Sequence, residues 1–137
     1  MKEGWHGDDY WILCEDQQEA LRLTALYGVT AYLPDHFIIG LKSWDDFILC
    51  DRAGHYFTIP TVPVDPERLS PLSFSADTLR LQSDGTHDGK MRWFVKPICF
   101  GGDPLAQDNV KWLSLDEHVQ IVKWWNQLYY DQFKTKK

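Results

Sequence analysis

The sequence predicts an α+β fold: a mostly antiparallel sheet of five to six strands, with a short N-terminal helix and a long C-terminal helix packed on one side of it. Three observations predict it. Capping-box patterns open two helical stretches, one near each end of the chain. Short β-forming runs separated by turn residues fill the space between them. The resulting order, β-α-β-β-β-(β)-β-α, does not alternate strand and helix as a parallel α/β sheet would.

The elements follow in order. Tyr10–Cys14 is an apolar run between acidic stretches and reads as a strand. Asp16-Gln17-Gln18-Glu19 is a capping box: the Asp16 carboxylate accepts the Glu19 N–H, and Glu19 reaches back. Ala20, Leu23, Leu26 and Tyr27 follow at helical spacing, and Gly28 suits the left-handed stop, giving a helix of about 11 residues. Pro34 breaks regular structure, and Phe37–Leu41 is extended. Asp46–Asp51 and His55–Ile59 flank Arg52-Ala53-Gly54, a three-residue loop ending in glycine, which marks a hairpin. Residues 60–66 hold three prolines and are expected as an exposed edge or loop.

Residues 67–89 are less regular, with one strand expected within Leu72–Leu81 and a turn over Ser83–Gly89. Lys90–Phe100 reads as the next strand, with Pro97 at a bulge or edge. A turn at Phe100–Pro104 leads into a loop ending near Trp112. Ser114-Leu115-Asp116-Glu117 is a second capping box and opens the longest helix. Its stripe runs through Leu115 or Val119, Val122, Trp125, Leu128 or Tyr129, and Phe133, so Trp125 is expected to be buried against the sheet. Lys134, Lys136 and Lys137 favour the negative end of the helix dipole.

At 137 residues the chain is the size of one domain, read as 1–137, and it shows no repeat, low-complexity tract or Gly/Ser linker. Apolar residues make up 44% and charged residues 25%, which argues against disorder. No apolar run approaches the ~20 residues of a bilayer span, and the N-terminus has no signal-peptide core. Cys14, Cys50 and Cys99 form neither a CxxC site nor a disulfide framework. They read as small core residues of a reduced, cytoplasmic protein.

The net charge of −6 argues against nucleic acid as a partner, since phosphate contacts need a basic face. The charge is also uneven. Residues 1–67 carry 12 acidic and four basic side chains, a net of −8, against +2 for the remainder. An acidic surface attracts a basic partner and raises its association rate. Seven Trp, six Tyr and seven Phe exceed the needs of one small core, and surplus Trp and Tyr are what binding faces use.

Catalytic candidates are sparse. Asp8-Asp9 and Asp45-Asp46 are paired acids, but neighbours on a strand point to opposite faces, so Asp45 and Asp46 are not expected to share one substrate. Their plainer reading is turn capping. His6, His36, His55, His87 and His118 show no HxH or HExxH spacing, so no metal and no cofactor are expected. Glu117-His118 lies in a helix first turn, where capping explains the Glu and partial burial the His. No GxSxG is present, and Cys50 and Cys99 sit in apolar strands, where thiols are inert. The Gly101-Gly102 turn is no phosphate loop, because no helix opens after it and Asp103 would repel the anion. Trp124 and Trp125 cannot both face inward, being ~100° apart on the helix.

Two stretches carry a resemblance. Tyr27-Gly28-Val29 through Leu33-Pro34-Asp35-His36-Phe37 is similar to the helix, Gly, Leu-Pro-x-x-aromatic opening of the SUKH (Smi/Knr-like) superfamily. Phe100-Gly101-Gly102-Asp103-Pro104 with Asn109, Trp112, His118, Val122, Trp125-Asn126 and Tyr129 resembles its ending. Together they cover about a third of the chain. The resemblance implies an α+β sheet-and-helix domain without enzymatic activity. Many bacterial members are immunity proteins that bind and block a cognate toxin, often a nuclease or deaminase. No catalytic or binding residue transfers by motif.

The expected function is therefore a non-enzymatic immunity protein that occludes a contact-delivered bacterial toxin. Its partner is a protein, not a membrane or nucleic acid. The expected partner-binding face is Asp8, Asp9, Trp44, Asp45 and Asp46. The alternative is a small ligand-binding protein or enzyme with an acidic/His site near Asp45, Asp46 and His55.

Overall fold

The computed structural model describes residues 1–73, 81–82, 85–87 and 89–134. The fold is α+β, and its main sheet has six strands. Strands β1 (Lys2–His6), β2 (Asp9–Leu13), β3 (His36–Lys42), β4 (Asp46–Asp51), β5 (Tyr56–Pro60) and β6 (Ser70–Pro71) lie side by side in chain order, every neighbour antiparallel. Helix α1 (Gln17–Tyr27) connects β2 to β3, and α2 (Leu115–Tyr129) runs on into one wider π turn, Tyr130–Lys134.

The period-2 alternation of the strands divides the apolar side chains between two faces. Tyr10, Ile12, Ile38, Leu41, Phe47, Leu49 and Ile59 face the core together with Leu23 and Tyr27 of α1 and Val119 and Val122 of α2. Trp11, Leu13 and Ile48 face the other way, under Ile39, Leu72 and Leu81. Gly40 is required where β3 passes β2: a Cβ there would sit on the Ile12 carbonyl oxygen, and the β3–β4 register slips at this point.

Both helices start where their caps predict. The Asp16 carboxylate accepts the Glu19 N–H at 2.8 Å, and Gly28 ends α1 at φ +69°. Glu19 reaches back one residue further than a standard box, to the Glu15 N–H at 3.0 Å. Thr24 ties α1 to the sheet: its hydroxyl donates to the Ala20 carbonyl and accepts the Ile38 N–H. Leu26, placed on the stripe by spacing, is 36% exposed. In α2 the Ser114 hydroxyl and Glu117 carboxylate exchange both capping bonds.

Several expectations need correction. β1 has no apolar run and was not expected; it pairs along its whole length with β2 across a turn at Gly7, φ +63°. The strand expected over Lys90–Phe100 is only β7 (Met91–Phe94), because Pro97 turns the chain into a short 3-10 turn, Ile98–Phe100. Trp112 lies not at the end of a loop but in β8 (Val110–Leu113), which pairs with β7 as a separate two-stranded sheet. The strand expected within Leu72–Leu81 falls mostly outside the described residues, as does part of the 83–89 turn. Among the described residues there, Gln82 bridges to Trp5. The proline-rich segment is a loop but not an exposed one: Thr61, Val64 and Asp65 are buried.

α2 explains that burial. Its inward face is His118, Val119, Val122 and Asn126. The Asn126 side chain accepts the Val64 N–H at 2.7 Å and donates to the Thr61 carbonyl at 2.8 Å. Tyr130 donates to the Val64 carbonyl, and Tyr129 and Lys134 both reach the Asp65 carboxylate. Trp125 is not buried against the sheet. It is half-buried and packs on Phe100 at 4.8 Å, with the more exposed Trp124 edge-on beside it. Trp125→Ala is therefore expected to cost only about 1–2 kcal/mol in chemical denaturation, below the range for a fully buried aromatic.

Candidate protein-binding face and adjoining pocket

Antiparallel order brings the β1–β2 and β3–β4 turns to the same end of the sheet, and with them Asp8, Asp9, Asp45 and Asp46. Asp8 is exposed. The Asp9 carboxylate accepts from the Ser43 hydroxyl at 3.1 Å and lies 3.7 Å from the Lys42 ammonium. Ser43 and Trp44 both take left-handed backbone, at φ +51° and +61°, a strained conformation for residues with side chains. The surroundings hold it: the Ser43 N–H donates to the Tyr10 carbonyl at 2.6 Å, and the Trp44 ring stacks on Tyr10 at 4.7 Å.

Trp44 is thus 4% exposed, which corrects its expected role as a surface anchor. Trp5 and Trp112 meet it edge-on, and the Arg92 guanidinium lies 5.1 Å from its ring. Arg92 also pairs with the Asp45 carboxylate and donates to the Ser43 carbonyl at 3.1 Å. The residue that reaches the surface here is Trp112, 41% exposed, standing directly over Trp44.

Asp45 and Asp46 are both among the residues lining one pocket; Asp45 precedes β4, while Asp46, in register with Lys42, is on the same face of the sheet as Trp11 and Ile48. The pocket holds about 270 Å³. Its walls are Pro60, Val62 and Pro63 from the buried loop, and Phe94, Ile98 and Cys99 from β7 and the turn after it. Burial raises the pKa of Asp45 in spite of Arg92, and the negative Asp46 adds to it. Burial also raises that of Asp46, with Lys42 opposing and Asp9 reinforcing.

His55 is not part of this site. It lies at the opposite end of the β4–β5 hairpin, about 17 Å away by strand rise. There the Asp51 carboxylate accepts the Ala53 and His55 N–H groups and pairs with the His55 ring, as a loop cap. His118, expected to be partly buried, is fully buried. The Tyr27 hydroxyl meets its Nδ1 at 2.6 Å, and burial lowers its pKa to about 4. Cys14, Cys50 and Cys99 are free and half-buried rather than core residues, and Cys99 sits in a 3-10 turn rather than a strand. Burial pushes all three thiols up, Cys14 to about 11, so none is an activated nucleophile.

Among the described residues no group of three or more His, Cys, Asp or Glu is placed to hold a metal, and no helix is long and apolar enough to cross a membrane. Comparisons with protein-family models, curated proteins and solved structures find no match for this chain.

Proposed function

We propose that this chain is a non-catalytic binding module, an immunity protein that neutralises a bacterial toxin domain in the cytoplasm by covering a basic active-site cleft. One observation carries the reading: an exposed Trp112 braced by buried Trp44 stands at the sheet end that gathers Asp8, Asp9, Asp45 and Asp46. A rigid, partly exposed indole beside acidic groups has the make-up of an interface hot spot with a steering rim. The resemblance to SUKH immunity proteins agrees with it.

The test uses a candidate toxin domain sought in the genes next to this chain's own. The chain should protect cells that express it, and the purified pair should associate faster at low salt. Asp8→Asn with Asp9→Asn should slow association severalfold and flatten its salt dependence, with little change in melting, since exposed charges contribute little to stability. Trp112→Ala should speed dissociation about 30-fold or more, the effect of losing a hot-spot aromatic. Unchanged association in the first variant together with unchanged dissociation in the second would place the contact face elsewhere.

A further inference from the structure

The second half of α2 and its π turn carry a row of aromatic rings apart from the Trp112 face. Trp124 meets Trp125 at 5.0 Å, Trp125 meets Phe100 at 4.8 Å, Phe100 meets Phe133 at 6.0 Å, and Phe133 meets Tyr129 at 5.1 Å. We propose that this row is a second docking face, and that its occupant is a short acidic peptide segment of a partner protein. Apolar side chains of the peptide would lie on the rings, and its carboxylates would pair with Arg68 and Lys96.

Exposure, rigidity and charge point to this occupant. Trp124 is 59% exposed and Phe133 56%, with Trp125 and Phe100 half-buried between them. A continuous exposed aromatic row is a mark of an interaction surface. The row is also held in place. Tyr129 donates to the Asp65 carboxylate at 2.8 Å. Phe100 sits in the 3-10 turn that Gly101 closes at φ +91°, and the Asn109 side chain bonds the Lys96 N–H and carbonyl behind it. A surface already ordered loses little entropy on binding. The Lys96 ammonium stands beside the same turn, 3.8 Å from where a Cβ on Gly101 would lie. The Arg68 charge acts on Tyr129 and on Cys99, the chain neighbour of Phe100. Both cations are exposed, and neither forms an ion pair with a described residue. Lys134, by contrast, is held by Asp65 and Glu67. The acids of this helix end and loop are engaged: Asp131 accepts from Gln127, and Asp103 from the Leu105 N–H. Exposed rings beside two unmatched cations fit a ligand that joins apolar groups to carboxylates, which take charge-assisted hydrogen bonds. An extended polyanion, a nucleic acid or an anionic membrane, would also face the rest of a chain whose net charge is −6. A short peptide meets only the charges near it, because salt screens the others.

The probe is the capped peptide Glu-Glu-Leu-Phe-Glu-Glu-Leu, labelled with fluorescein, added to the full chain and followed by anisotropy. It should bind saturably, about tenfold or more tighter than the same peptide with Lys for every Glu. Replacing its Leu and Phe by Ser should weaken it by a similar factor. Trp124→Ser and Phe133→Ser, both at exposed positions, should each weaken binding about tenfold or more while melting as the parent chain does. Arg68→Glu with Lys96→Glu should invert the preference between the acidic and the basic peptide. Phosphatidylglycerol vesicles, oligothymidylate and sedimentation of the chain alone test the other occupants. Absence of saturation overturns the proposal, as does equal affinity for the acidic and basic peptides or unaltered affinity in all three variants. Tighter binding of the vesicles, the oligonucleotide or a second copy, lost in Trp124→Ser, overturns it in favour of that occupant. The Trp112 ring meets Trp44 and His87 and no ring of this row, so the partner kinetics of that face and these titrations fail or succeed separately.

Discussion

Replacing Asn126 with leucine is expected to lower the unfolding free energy by about 4 kcal/mol, although leucine has the same heavy-atom branching as asparagine and raises local hydrophobicity. Asn126 is 2% exposed and holds the 60–66 loop onto α2. Its carboxamide oxygen accepts the Val64 N–H, and its nitrogen donates to the carbonyls of Thr61 and Val122. Without it the Val64 N–H and Thr61 carbonyl stay buried beside apolar atoms, and each orphaned group costs about 1–3 kcal/mol. Urea denaturation measures the change, with Gln127→Ala, on the exposed side of the same helix, as the control expected to move by less than about 0.5 kcal/mol. A loss below about 1 kcal/mol for Asn126→Leu would mean that the loop is held by its other contacts, the Tyr130 bond to the Val64 carbonyl foremost.

The second large effect is a pH dependence set by His118. Its imidazole is fully enclosed, with the Tyr27 hydroxyl on Nδ1 and the Trp93 ring 5.7 Å away, while Nε2 has no partner among the described residues. Burial pushes the Tyr27 pKa up, so the hydroxyl keeps its proton and donates it, and the ring is neutral. The folded pKa of about 4 lies well below the unfolded value near 6.5, so on acidification the unfolded chain takes up this proton first. Stability is then complete above about pH 6.5, falls as the pH drops toward 4, and levels below it. The loss from this one group reaches about 3 kcal/mol. His118→Phe should remove that part of the slope, so the stability gap between parent and variant narrows by this amount from pH 7 to pH 4. A gap that stays constant across that interval would show that His118 titrates normally and is not enclosed as described.

The sequence by itself determined what local chemistry determines. Asp16 with Glu19, and Ser114 with Glu117, fixed both helix starts because a cap is satisfied within four residues. Gly28 fixed the end of α1, and Gly54 between β-forming runs fixed the β4–β5 hairpin. The α+β class and the concentration of acids in the first half were legible for the same reason.

What the tertiary structure decided depends on groups far apart in the chain. β1 carries no apolar run; its strand conformation comes from pairing with β2 and from Gln82, which no window on Lys2–His6 contains. Trp44 looked like an anchor and is buried, while Trp112, read as the end of a loop, is exposed. That choice was made when β8 paired with β7 and laid one indole over the other. Asp45 and Asp46 both lie on the lining of one cavity, at the point where two consecutive left-handed residues turn the chain before β4 and the Trp44 ring stacks on Tyr10. Spacing along a chain specifies which hydrogen bonds close locally and which face of an element is apolar. It does not specify which of seven indoles is covered, because covering is done by side chains and backbone brought in from elsewhere.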